Sequence, residues 1–257
     1  MDWNRTKTIF IITFLLLNIF LTWQLIETHN MNQISMITVA NIQEVLRENN
    51  VTIETELPET DSPGLLVVGK NVVLSNEDIP NVEDQEINII DERTILSVLE
   101  EPFVLSRENF STELSTFLST YVFQGVDYRF GGFDQVKNQV FLYQAYGEKT
   151  AYTFDDQPLI LHLDDNLQII GYQQKYLEFE LQDGEEREMY SSLKAIEVLL
   201  NDQLVRMNQT ITDVQFGYYS FFSPTGDVQV FAPMWRVTVD GDTYLVHAIG
   251  GTVQQLT

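Results

Sequence analysis

The sequence predicts an α+β protein: an N-terminal transmembrane helix, then an extracytoplasmic ectodomain of helix-plus-antiparallel-sheet modules. Three observations carry this. No charged residue occurs from Thr8 to Ile26. Beyond residue 102, a helical spacing of apolar residues followed by alternating segments occurs twice. The 257 residues are 44% hydrophobic and 12% aromatic, enough to bury a core despite a net charge of −24.

Residues 1–7 form a short cytoplasmic start, because Arg5 and Lys7 precede the uncharged run and Glu27 follows it. Residues 8–26 as a helix span roughly 28 Å at about 1.5 Å per residue, just enough to cross a bilayer. The exit, Thr22-Trp23-Gln24-Leu25-Ile26-Glu27, has no small-residue cleavage pattern, so the segment is expected to remain as an anchor. Ile11, Leu15, Asn18, Thr22 and Leu25 fall on one stripe of that helix. A single asparagine is tolerable in a long apolar helix, yet across a helix interface its carboxamide gains about 0.6–2 kcal/mol. The stripe is therefore the expected contact with another membrane helix.

Residues 27–37 read as a polar stalk, and 38–102 as an N-terminal α+β subdomain. In the subdomain a short helix from Thr38 to about Asn49 presents Val39, Ile42, Val45 and Leu46. Strand candidates follow at VTIETEL (51–57), LLVVG (65–69) and EINII, then an ambiguous DERTILSVLE, with a boundary at Pro102.

Residues 103–257 hold the two modules. Ser106 is placed to cap a helix bearing Phe110, Leu114, Phe117, Leu118 and Tyr121, which Gly125 closes. Strands are expected at 126–133, 139–146, 159–163 and 167–181. A second helix, about 188–204, lines up Leu193, Ile196, Leu200 and Leu204. Strands at 211–222, 228–239, 243–249 and 253–256 complete the chain.

The charge excludes a polyanion-binding role, since 38 acidic against 14 basic residues repel nucleic acid. Solubility in a salty or alkaline habitat and cation binding both remain open as reasons for it. With no cysteine, there is no disulfide framework, thiolate metal site or cysteine nucleophile. Catalysis has no constellation: His29, His162 and His247 are the only histidines, without H-E-x-x-H or G-x-S-x-G. His162 and His247 occupy corresponding places in two closing hairpins, as satisfied sheet residues or as a pH-sensing pair. Asp155-Asp156, Asp164-Asp165 and Asp240/Asp242 sit where turns favour Asp, so no catalytic residue, metal site or cofactor is expected. FGYYSFF (216–222) and FAPMWRV (231–237) concentrate aromatics. Alternation sends half of each inward, leaving Tyr218, Phe222 and Trp235 as a candidate patch for an ectodomain partner.

The run D-W-x-x-T-K-x-I-F-I-x-x-F-L-x-L-N-x-F-L-x-x-Q, Asp2 to Gln24, closely resembles the start of the YycI (WalI) family, Asn18 included. That resemblance implies a membrane-anchored extracytoplasmic regulator, not an enzyme. Its implied partners are a YycH-like protein and the WalK/YycG sensor histidine kinase of the WalK/WalR (YycG/YycF) two-component system. That system controls the cell wall of low-GC Gram-positive bacteria. The stripe through Asn18 would then face a kinase or YycH helix. APMWRVTVDGDTYLVHAIGGTV resembles the end of a PepSY module, with Gly250 where threonine is usual. The alternative it implies is a ligand-binding or protease-inhibiting module.

Overall fold

The computed structural model describes residues 7, 10–22, 42–60, 62, 64–75, 79, 84–154, 157–221 and 227–256. The stalk 27–37, Thr38, Val39, Asp155 and Asp156 lie outside them. Helices α1 (10–22) and α2 (42–48) precede β1 (Thr52–Ile53), β2 (Val67–Asn71), β3 (Gln85–Ile90) and β4 (Thr94–Phe103). Helix α3 (Phe110–Tyr121) and a 3-10 turn lead into β5 (Tyr128–Asp134), β6 (Gln139–Tyr146), β7 (Lys149–Thr153), β8 (Leu159–Leu163), β9 (Ile169–Lys175) and β10 (Leu177–Leu181). Helix α4 (Ser192–Asn201) precedes β11 (Thr210–Ser220), β12 (Val228–Val239), β13 (Asp242–His247) and β14 (Val253–Leu256). The fold is mixed α+β and mostly sheet.

Each module is a helix followed by an antiparallel meander. In the first, strands pair in the order β5-β6-β8-β9; in the second, β11-β12-β13-β14. Each sheet turns alternate side chains toward a core of its own. One core holds Phe117, Leu142, Leu161 and Tyr172; the other holds Ile196, Leu199, Trp235 and Val246. Between them β7 pairs antiparallel with β6 and parallel with β11. Its sequence, KTAYT, lacks a clear alternation, so only this non-local pairing makes it a strand.

Among the described residues of 38–102, β1, β2 and β4 pair with strands that follow Pro102, which itself falls inside β4. β4 runs straight through that point and pairs with β9, extending the first module's sheet. β1 pairs with β11, β2 lies between β10 and β12, and α2 contributes Ile42 and Leu46 to the second core. Short strands cannot bury an apolar face alone, and here each finds one in a module already formed. The DERTILSVLE ambiguity resolves into a hairpin: Asp91 and Glu92 both have positive φ, and the strand resumes at Thr94.

Local signals hold with shifted positions. The α3 N-cap is Asn109 without a side-chain bond, while Ser106 and Glu113 clasp one turn earlier, with Ser106 Oγ donating to Glu113 Oε1 at 2.9 Å. Gln124, with φ 48°, takes the left-handed position. Gly125 serves a different need, since a Cβ there would stand 1.9 Å from the Leu118 carbonyl oxygen. On α4 the deepest residues are Ala195, Ile196 and Leu199, so the buried stripe is rotated from the expected one; Ser191 caps the helix through the Lys194 N–H. Buried Gln144 ties the modules together: its Nε2 donates to the Leu177 carbonyl at 2.6 Å and its Oε1 accepts the Leu177 N–H at 2.9 Å.

Candidate interaction surfaces

The N-terminal stripe lies on α1, where Ile11, Leu15, Asn18 and Thr22 are all exposed; Leu25 lies outside the described residues. No helix among the described residues is long and apolar enough to cross a membrane, the described part of α1 being shorter than the uncharged run 8–26. Asn18 Nδ2 donates to the Phe14 carbonyl at 2.8 Å, and Thr22 Oγ1 donates to the Asn18 carbonyl at 2.8 Å. The helix itself thus satisfies one carboxamide N–H, lowering the cost of this asparagine in an apolar setting. The Asn18 Oδ1 keeps its lone pairs for a neighbour.

The aromatic patch expected at Tyr218, Phe222 and Trp235 is corrected by burial. Tyr218 is 1% exposed and Trp235 is 0% exposed, both in the second core, while Phe222 lies outside the described residues. The reason is parity: Phe216, Tyr218 and Trp235 face the side that α4 covers. Trp235 packs edge-on against Phe216 at 5.2 Å and donates its Nε1–H to the Tyr190 carbonyl at 2.7 Å. Burial raises the Tyr218 pKa.

A different surface emerges on the first module, on the sheet face opposite α3. Cross-strand registers place Val98, Gly171, His162 and Gln139 in one row and Leu96, Gln173, Ile160 and Phe141 in the next. None carries a formal charge with histidine neutral. The charges stand at the perimeter: Glu86 opposite Val98, Asp134 opposite Gln139, Arg129 opposite Tyr143 and Lys175 opposite Thr94. Val98 is 62% exposed, and Leu96, Ile160 and Phe141 are half-buried. On a chain of net charge −24, an accessible uncharged sheet face has the composition of an interface core. A signal for it existed in the sequence: LILHL and QVFLYQAY lack charge at both parities, as strands contacted on two faces do.

His162 sits in this face on β8, its Nδ1 3.2 Å from Gln139 Nε2, while His247 ends β13 and its Nδ1 accepts the Ile249 N–H at 3.1 Å. Burial lowers both pKa values below the ordinary 6.5, with Arg187 adding to the effect at His247. Below about pH 6.5 the unfolded chain therefore binds more protons than the folded one, so stability is full above that pH and declines as the pH falls. Exchanging both histidines for Gln is expected to flatten the decline of Tm between about pH 6.5 and 5; an unchanged slope in thermal melts would place it elsewhere.

Asp164 closes its own turn, whereas Asp240 ties the β12–β13 turn to the start of β11. Asp164 Oδ1 accepts the Asn166 and Gln168 N–H groups at 2.9 and 2.8 Å, and Asp240 Oδ1 accepts the Thr210 N–H at 3.0 Å. Among the described residues no group of three or more His, Asp or Glu side chains is placed to hold a metal ion.

Several solved structures are similar in part. An uncharacterized protein from Eubacterium rectale ATCC 33656 aligns at 9% identity and a TM-score of 0.43, over 80% of this chain and 86% of that one. The YpeB C-terminal domain of Bacillus megaterium aligns at 12% identity and a TM-score of 0.38, over 79% and 88%. YycH from Bacillus subtilis aligns at 10% identity and a TM-score of 0.37, over 78% of this chain and 53% of that one. No curated protein matches the sequence. A family model described as "YycI protein" matches residues 29–249, a range that begins beyond the Asp2–Gln24 run and covers both modules except β14: the chain belongs to the YycI family.

Proposed function

We propose that this chain is a membrane-anchored regulator with its C-terminal domain outside the cell. With a YycH-like partner, it sets the activity of a WalK/YycG-like sensor histidine kinase of a cell-wall two-component system by protein–protein contact, without chemistry of its own. The observation that carries the reading is membership of the YycI family over residues 29–249. Two surfaces support it. The stripe Ile11, Leu15, Asn18 and Thr22 offers a polar contact on an apolar helix, and the uncharged sheet face offers a docking surface. A bound regulator alters a kinase only by contacting one of its conformations better than another, and a helix packed beside the kinase's own supplies such a bias.

The test is recovery of partners from native membranes in mild detergent, comparing wild type, Asn18→Leu and a chain lacking residues 1–26. Wild type is expected to recover a histidine kinase and a YycH-like protein. Asn18→Leu should reduce kinase recovery about three- to thirtyfold, the range set by an interhelical hydrogen bond, while retaining the YycH-like protein. Failure of wild type to recover either partner would remove the regulatory reading.

A further inference from the structure

We infer that the open end of the first core binds a small anionic amphiphile: a short alkyl or aryl tail carrying one carboxylate or phosphate. A cavity of about 220 Å³ lies there, smaller than the roughly 300–1,000 Å³ of sites for drug-sized ligands. Val140 and Leu163 line its buried part, at 2% and 9% exposure, and Phe130 and Leu167 its accessible part, at 52% and 37%. Phe130 is held edge-on against Phe110 at 5.4 Å, so this aromatic wall is preformed.

The polar groups narrow the ligand class. Ser106 also lines the space, but its N–H and hydroxyl are committed to Glu113. That leaves Arg107, which lines the same cavity, is exposed, and makes no hydrogen bond or ion pair with the described residues. Leu167 has φ 62°, a left-handed conformation that Gly or Asn adopts more readily. Its N–H bonds the Asp164 carbonyl at 3.0 Å and Asp164 Oδ1 accepts the Gln168 N–H, so the turn holds an apolar side chain at the opening.

Water in so apolar a space finds few hydrogen-bond partners, and a hydrocarbon tail gains by replacing it. A carboxylate or phosphate head matches the guanidinium fork. The chain's net charge of −24 opposes anions at long range. At physiological ionic strength that field is screened over about 8 Å, so one anionic head in contact with Arg107 is admitted and a polyanion is not. The site lies on the side of the sheet opposite the uncharged face and does not depend on the partner reading.

Calorimetry on the full chain in phosphatidylcholine nanodiscs, corrected with empty discs, tests the site using octanoate, octanol and acetate. Octanoate is expected to bind about tenfold or more tighter than octanol, and acetate to give no heat. Arg107→Gln should bring octanoate to the octanol level, and Val140→Phe, which fills the cavity, should abolish both. The accessible Phe130→Ser should also weaken both if the core variant does not fold. With phosphatidylglycerol added to the discs, unchanged octanoate binding assigns a soluble amphiphile, and binding lost from wild type while the residual binding of Phe130→Ser stays unchanged assigns an anionic lipid already seated there. No octanoate binding in phosphatidylcholine discs, equal affinity for octanoate and octanol, or full affinity in Arg107→Gln would overturn the inference.

Discussion

Ile160→Glu is expected to weaken the association of this chain with a YycH-like partner by about a hundredfold or more, with little change in Tm. Ile160 lies at the centre of the uncharged face, between Gln173 on β9 and Phe141 on β6, and its side chain points away from the first core. In the free protein a glutamate there stays hydrated, so folding loses little. In a docked complex the same carboxylate is desolvated without a partner, which costs several kcal/mol, and about 2.7 kcal/mol is already a hundredfold in Kd. Val136→Glu is the matched control: Val136 is 96% exposed in the β5–β6 hairpin, outside the face, and should leave affinity unchanged. Thermophoresis between the full chain and the partner in mild detergent reads the difference. Wild-type affinity in Ile160→Glu would move the contact to another surface, whereas no complex even with wild type would count against the regulatory reading itself.

Much of the architecture was legible because its signals are local. Apolar periodicity marked α3 and α4, uncharged runs marked β6 and β8, aromatic and β-branched runs bounded by turns marked β12 and β13, and the two helix-then-meander blocks were visible as a repeat of order. The misses trace to long-range pairing. KTAYT becomes β7 only because β6 and β11 flank it, and VTIETEL yields just Thr52–Ile53 as strand because only those residues reach β11. The 38–102 segment read as a subdomain because sequence order suggested contiguity, but β2 and β4 serve different modules.

The candidate site was legible in kind and not in place. Residue types announced an aromatic concentration at 216–222 and 231–237, but alternation does not leave half of it outside: Phe216, Tyr218 and Trp235 are buried in the second core, and Tyr219 and Met234 are buried in a smaller cluster with Leu245. That both faces of β11 are covered is a tertiary fact. The uncharged face was harder to see, since its rows assemble Leu96, Gln173, Ile160 and Phe141 from four strands spread over nearly eighty positions. Only the registers make them neighbours.

Trp235→Ala should therefore act on folding and not on partner binding, and it is the largest stability effect expected in the two modules. The indole is fully buried between Phe216 on β11 and Val246 on β13, beneath α4. Removing it leaves a cavity that costs about 3–5 kcal/mol. The Tyr190 carbonyl, which accepts the Nε1–H at 2.7 Å, loses that bond, for about 1–3 kcal/mol if the group stays dry. Against a total stability of about 5–15 kcal/mol, the cavity alone predicts a Tm lower by about 6–20 °C at this chain length. Trp235→Phe keeps a six-membered ring in the core while removing the donor and the five-membered ring, so its Tm should fall by less than that of Trp235→Ala. At a temperature where Trp235→Ala is still folded by circular dichroism, its affinity for the YycH-like partner should match wild type. A variant with unchanged Tm and lost affinity would instead put Trp235 in the interface, and the burial that now assigns it to the core would have to open on binding.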